Sequence, residues 1–176
     1  GSEMCIRDSY CVSIALRNKH ELLLGVVYDP CLDECFYAWK GGGAYLNGQS
    51  LQVSSVRSME ASFVVTELPY NSEQYARTGE YLIRELYGRV AGIRMNGSAA
   101  IALCYVAAGR FDAWLEAFLG KWDFSAAALI VQEAGGRVTD FYGNAGFIDG
   151  HHVVATNGWL HPFLLELVQK AMPLGM

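Results

Sequence analysis

Short apolar runs separated by turn residues fill the first third of this chain, and apolar helical stretches alternate with strands over the rest. Tyr10–Leu16 reads as a strand ending at an Asn18-Lys19 turn, Leu22–Tyr28 as a second ending at Asp29-Pro30, and Glu34–Trp39 as a third. Gly41-Gly42-Gly43 permits a sharp redirection into Ala44–Leu46, and the Asn47-Gly48 that follows is a strong tight-turn signal. These pieces predict an antiparallel meander.

Downstream, the spacing predicts a strand over Phe63–Leu68 and a helix from about Ser72 to Tyr87, stopped by Gly88. Gly92–Met95 reads as a strand, and Ser98 as the cap of an apolar helix running to Ala108. Phe111–Phe118 is a strand. Asp123 is read as the N-cap of the next helix, which ends at Gly135. Arg137–Phe141 and Val153–Thr156 are strands, and His161-Pro162 opens a closing helix to about Ala171. Strands first, then strands and helices in alternation, imply layered helices and sheets. No linker or repeat divides the chain, so residues 10–176 read as one domain.

Composition narrows the picture. The 176 residues are 52% hydrophobic and 18% charged, with net charge −5. That suits a well-cored globular domain. Without a basic run or stripe, the sequence gives no support for a nucleic-acid partner. No apolar run approaches the length needed to cross a membrane. Five cysteines without framework spacing read as reduced thiols in a cytoplasmic protein. Cys31 and Cys35 lack a second Cys/His pair at metal spacing. Residues 1–9 look like a leader foreign to the fold.

Three stretches could carry chemistry. Lys121–Gly136 places Asp123 at the mouth of an alanine-rich helix so apolar that it must be buried on most sides. Gly92–Ala100 joins a strand to a helix start, where free backbone N–H groups and small side chains let a polar ligand approach. Phe111–Glu116 ends a strand in a glutamate seven residues before Asp123. Each has a plainer reading: a helix cap, a tight turn, a solvated strand-end carboxylate. His151 and His152 are adjacent and face opposite sides of a strand, and His20 and His161 read as loop or cap residues.

Taken together, Gly97-Ser98-Ala99-Ala100, Asp112–Glu116 and Trp122-Asp123 followed by Glu133-Ala134-Gly135-Gly136 resemble the inositol monophosphatase family in order and spacing. The resemblance runs from Tyr10 to the end of the chain. It implies a layered αβαβα sandwich of the sugar phosphatase type within the α+β class, and a homodimer. It implies a Mg²⁺-dependent phosphomonoester hydrolase acting on inositol monophosphate or a related polyol or sugar monophosphate. By that resemblance Gly97, Ser98 and Ala99 contact sugar hydroxyls, Glu116 binds another hydroxyl, and Asp123 serves catalysis by binding one magnesium ion and touching the substrate.

The family's main metal motif, Asp-Pro-(Ile/Leu)-Asp-Gly-Thr, and the Glu-Glu pair upstream of it do not occur here. Asp29-Pro30-Cys31-Leu32-Asp33 spaces its second aspartate one place too far and lacks the Gly-Thr. The expectation is therefore an N-terminally truncated, inactive chain. The alternative is a non-catalytic binding protein that keeps the fold.

Overall fold

The computed structural model describes residues 10–67 and 73–172, the side chains of residues 73–75 and 149 excepted. The leader at residues 1–9, the end of the strand read to Leu68 and the helix start at Ser72 lie outside the described residues.

The meander forms as read. β1 (Val12–Arg17), β2 (Leu22–Asp29), β3 (Glu34–Trp39), β4 (Ala44–Leu46) and β5 (Gln49–Ser50) make one antiparallel sheet in sequence order. Asp29 of the misleading Asp-Pro stretch is buried, and its Oδ1 accepts the Cys31 and Leu32 amides. It fastens a turn.

The second sheet holds β6 (Phe63–Thr66), β7 (Gly92–Arg94), β8 (Ala113–Ala117), β9 (Arg137–Thr139) and β10 (His152–Thr156), in the order β7-β6-β8-β10-β9. β6 is parallel to both β7 and β8, while β10 runs antiparallel to β8 and β9. The chain leaves β6 through α1 (Glu73–Leu86) to β7, then crosses through α2 (Ala99–Ala107) to β8 on the other side of β6. In parallel sheets, ligand crevices form at the carboxyl ends of strands where the chain departs to both sides.

α2 and α3 (Lys121–Glu133) lie between the sheets, which is why they are apolar nearly all round. Small side chains let them come close. A β-carbon added at Gly25 of β2 would lie 2.3 Å from the Ala126 carbonyl oxygen of α3. α1 and α4 (His161–Ala171) cover the far face of the second sheet around Leu82, Leu86, Leu115, Val154 and Leu164.

The fold is thus layered α+β. The described residues form four layers: sheet, helix pair, sheet, helix pair. The outer helical layer that would complete the αβαβα order is not among them. No helix of the described residues is long and apolar enough to cross a membrane.

Candidate active-site cleft

Three parallel strands end at the same edge of the second sheet, and each delivers a candidate residue there. Thr66 of β6 pairs with Leu115 of β8, so Glu67 and Glu116 follow as the next residue on each strand. Alternation along β8 turns Glu116 to the face of Trp114, toward the helices between the sheets. After β7 the chain turns through Asn96 and Gly97, the latter at φ 75°, into α2. The first turn of α3 brings Asp123 to the same end.

The local chemistry departs from the sequence reading at four points. Gly120, not Asp123, occupies the N-cap of α3, and the helix starts at Lys121. Asp123 sits in the first turn and reaches back, its Oδ2 accepting the Gly120 amide at 2.9 Å. This is the return half of a capping box, in which an acidic residue three places in satisfies the cap's own N–H. Ser98 does hold the N-cap position of α2, but its hydroxyl makes no capping bond. It lies 3.8 Å from the Cys11 thiol instead. Glu116 is not a solvated strand end: its Oε2 is buried without a hydrogen-bond partner among the described residues. Finally, the Gly97 amide is not open to a ligand, because Glu67 Oε1 accepts it at 2.9 Å, together with the Asn96 amide at 2.6 Å.

Glu67 escaped the sequence reading. It is a single glutamate after an apolar strand, and only the crossover topology places it beside Glu116. Phe118, at φ 67°, bends the chain between β8 and α3. A left-handed aromatic residue is strained and held by its surroundings.

The three carboxyl groups share one electrostatic condition. Burial raises Glu67 above the usual carboxylate range, and the Gly97 and Asn96 amides oppose it. Burial leads for Glu116 as well, with the charges of Glu67 and then Asp123 adding to it, so its carboxyl is pushed up to about 8. Asp123 is raised by burial and lowered by the Gly120 amide. A carboxyl held protonated at neutral pH donates a hydrogen bond. Beside the carboxylate of Glu67, the cleft offers both a donor and acceptors, a match for sugar hydroxyls. A bare anion meets repulsion there.

Metal binding by these residues alone is limited. No group of three or more His, Cys, Asp or Glu side chains among the described residues is arranged to hold an ion. Mg²⁺ takes one or two carboxylates with waters and substrate oxygens. Asp123 fits as one such ligand, but a single carboxylate does not fix a pair of ions.

The remaining candidates lie elsewhere. His161 is neither loop nor cap: it is the buried first residue of α4, bonded to the Thr139 hydroxyl at 2.9 Å and the Thr156 hydroxyl at 3.1 Å. The His151 ring lies 3.0 Å from the Leu119 carbonyl.

Comparison with known proteins identifies the family of the fold. The model of the inositol monophosphatase family matches residues 5–172. Nus factor SuhB of Pseudomonas aeruginosa is 44% identical over 166 residues, covering 93% of this chain and 61% of that protein. Inositol-1-monophosphatase of Rhizobium meliloti is 37% identical over 166 residues, covering 93% of this chain and 62% of that protein. Among solved structures, the suhB protein of Bartonella henselae superposes with a TM-score of 0.86 at 37% identity, covering 91% of this chain and 61% of that one. The Thermotoga maritima IMPase gives 0.85 at 34% identity, over 94% and 63%. The chain therefore spans about three-fifths of the length of these relatives. On the family match and these identities, the chain belongs to the inositol monophosphatase family.

Proposed function

We propose that this chain carries the polyol-binding part of a Mg²⁺-dependent phosphomonoester hydrolase for inositol monophosphate or a related polyol or sugar monophosphate. One observation carries the reading: Glu67, the Gly97–Ala99 turn, Glu116 and Asp123 lie half-buried about the carboxyl ends of parallel strands, Glu67 bonded to the turn and the charges of Glu67 and Asp123 both acting on Glu116. In this reading, Gly97, Ser98 and Ala99 line the hydroxyl-contacting wall. Glu116 donates to or accepts from a second hydroxyl. Asp123, held by Gly120, takes one magnesium ion at the substrate's edge. A bound Mg²⁺ supplies charge neutralisation for the phosphate and a more acidic water. The protein's part is to orient the polyol and to keep the phosphate on the Asp123 side, away from Glu67 and Glu116. The homodimer and the cytoplasmic setting belong to the same reading.

The test is phosphate release from myo-inositol 1-phosphate with Mg²⁺. Turnover by the chain that Asp123→Asn abolishes supports the hydrolase. Binding without turnover is expected both of an inactive part of the hydrolase and of the second reading, a non-catalytic binding protein on this fold; turnover gained once the Asp-Pro-(Ile/Leu)-Asp-Gly-Thr segment is supplied upstream supports the first, and none even then supports the second. One observation supports that second reading: the described residues assemble no metal cluster. The relatives named Nus factor SuhB bear on it too, since that name is not one of a hydrolase. The net charge of −5 gives no support for a nucleic-acid partner. Retention of labelled RNA by the chain in a filter assay would reverse that reading.

A further inference from the structure

We propose that Glu67 is a positioning residue of the polyol pocket: its carboxylate, by accepting the Asn96 and Gly97 amides, sets the turn that presents Ser98 and Ala99 to ligand hydroxyls. The inference rests on the reading of Gly97–Ala99 as the hydroxyl-contacting wall.

The turn follows a short strand and depends on its glycine. β7 is three residues long and, among the described residues, lies at the edge of its sheet, paired with β6 alone. Gly97 stands at φ 75°, a conformation that glycine adopts freely and therefore does not fix. The Ser98 side chain makes no capping bond to α2. Against this, Glu67 Oε1 takes two successive amides at 2.6 and 2.9 Å from the turn after the neighbouring strand, 29 and 30 residues later in the chain. Bonds from N–H groups to an ionised carboxylate are about twice as strong as neutral ones. The charge of Glu67 also reaches Glu116, the second residue read as a polyol contact.

An alternative is that Glu67 only ties two strands together. A structural tie would alter stability and leave ligand selection alone. The experiment uses the ¹⁵N-labelled chain titrated with myo-inositol 1-phosphate in Mg²⁺, as wild type and as Glu67→Ala, Glu67→Gln and Glu67→Asp. Loss of the acceptor in Glu67→Ala should move the Asn96 and Gly97 amide resonances upfield and weaken binding at least tenfold. Glu67→Gln keeps an acceptor oxygen at the same reach and should recover most of the affinity. Glu67→Asp is one methylene short of both amides and should behave like the alanine variant. The Asp and Gln pair decides the matter even if the alanine variant does not fold. Equal affinity across Asp and Gln, or unmoved Asn96 and Gly97 amides in the Asp variant, overturns the inference while the pocket reading survives. A wild-type chain that binds no myo-inositol 1-phosphate overturns the pocket reading itself, and the inference with it.

Discussion

Glu67 and Glu116 stand side by side at the carboxyl ends of parallel strands, each one residue beyond the paired Thr66 and Leu115. Two carboxyl groups so placed in a half-buried cleft do not ionise independently. Glu67 has two amides to stabilise its charge, whereas Glu116 Oε2 has no partner among the described residues. The proton therefore stays on Glu116, and the pair acts as one acceptor and one donor.

That asymmetry predicts a pH dependence of stability. Glu116 is raised from an ordinary value of 4.5 to about 8 in the folded chain. Below 4.5 it is protonated folded or unfolded and favours neither state. As pH rises toward 8 the unfolded chain releases the proton first, so this group increasingly favours unfolding and stability falls across that window. At about 1.4 kcal/mol per unit, the ceiling is a few kcal/mol. Glu116→Gln has no such titration. Urea unfolding at pH 4.5, 7 and 9 should show the variant near wild type at the lowest pH and more stable at the highest. Parallel curves at all three would count against a protonated Glu116.

Asp123→Asn separates fold from chemistry. The asparagine carboxamide oxygen still accepts the Gly120 amide, so the helix start survives. The lost charge at a helix N-terminus changes stability by less than about 1 kcal/mol. In the hydrolase reading, Mg²⁺ binding by calorimetry and phosphate release should both fall below detection while the melting temperature stays within a few degrees. A melt that collapses instead would make Asp123 a structural cap.

How much was legible in the sequence follows from what each residue depends on. The meander was readable because Leu22–Tyr28, Glu34–Trp39 and Asn47-Gly48 declare strands and turns locally. Gly97, Ser98, Ala99, Glu116 and Asp123 could be picked out because they sit in stretches with a recognisable order. Glu67 could not: its role exists only because β6 pairs in parallel with two strands that lie far along the chain. Asp123 was read as the N-cap, three residues past the true one, because aspartate suits both the N-cap and the third helical residue. The distinction lay in Gly120, which carries no side chain to announce a cap. His161 was misread because a histidine before proline at a helix start looks exposed, and the Thr139 and Thr156 hydroxyls that bury it come from separate strands.

His161 itself gives an acid-side prediction. Burial, with the charge of Arg137 adding to it, lowers its ring to about 4 in the folded chain. Stability from this group is full above the ordinary value of 6.5 and is lost as pH falls from there through about 4. His161→Ala removes the ring and with it one hydrogen bond of each hydroxyl, while Thr139 keeps its bond to the Asp140 carbonyl and Thr156 still accepts the Gly158 amide. A net loss of about 1 kcal/mol per hydrogen bond follows, and the cavity left by the ring adds to it. Thermal melts at pH 7 should show the loss, and the variant should lack the wild type's steepening between pH 6.5 and 4. An alanine variant that melts with wild type would make the two threonine contacts incidental.

Gly25→Ala tests how tightly the first sheet rests on α3. The added methyl would lie 2.3 Å from the Ala126 carbonyl oxygen, and backbone cannot swing aside as a side chain can. The sheet must shift outward, at a cost of about 1–3 kcal/mol as for other overpacked cores. Chemical unfolding should report that loss with an unchanged denaturant slope. A variant as stable as wild type would mean that the two layers slide freely.

The outer face of the first sheet carries the last prediction. Val12, Ile14 and Leu16 of β1 are 53%, 58% and 56% exposed. The register sets Ile14 opposite Val26 and Leu16 opposite Leu24, itself 37% exposed, so the side chains merge into one apolar patch. Tyr37, Trp39 and Tyr45 extend it as a stacked row with adjacent ring centroids 5.4 Å apart for Tyr37–Tyr45 and Trp39–Tyr45. Among the described residues β1 is also the sheet's outermost strand and pairs with β2 alone. An exposed apolar patch along an unpaired strand drives self-association. The isolated chain should therefore sediment as a concentration-dependent mixture. Ile14→Lys with Leu16→Glu places opposite charges on the patch without touching the inner face, where Val27 and Phe36 hold the core. Analytical ultracentrifugation of the double variant should show a single species no larger than the homodimer at every concentration, with an unchanged melt. Persistent association would place the sticky surface elsewhere, on the exposed Phe118 and Trp122 beside the cleft.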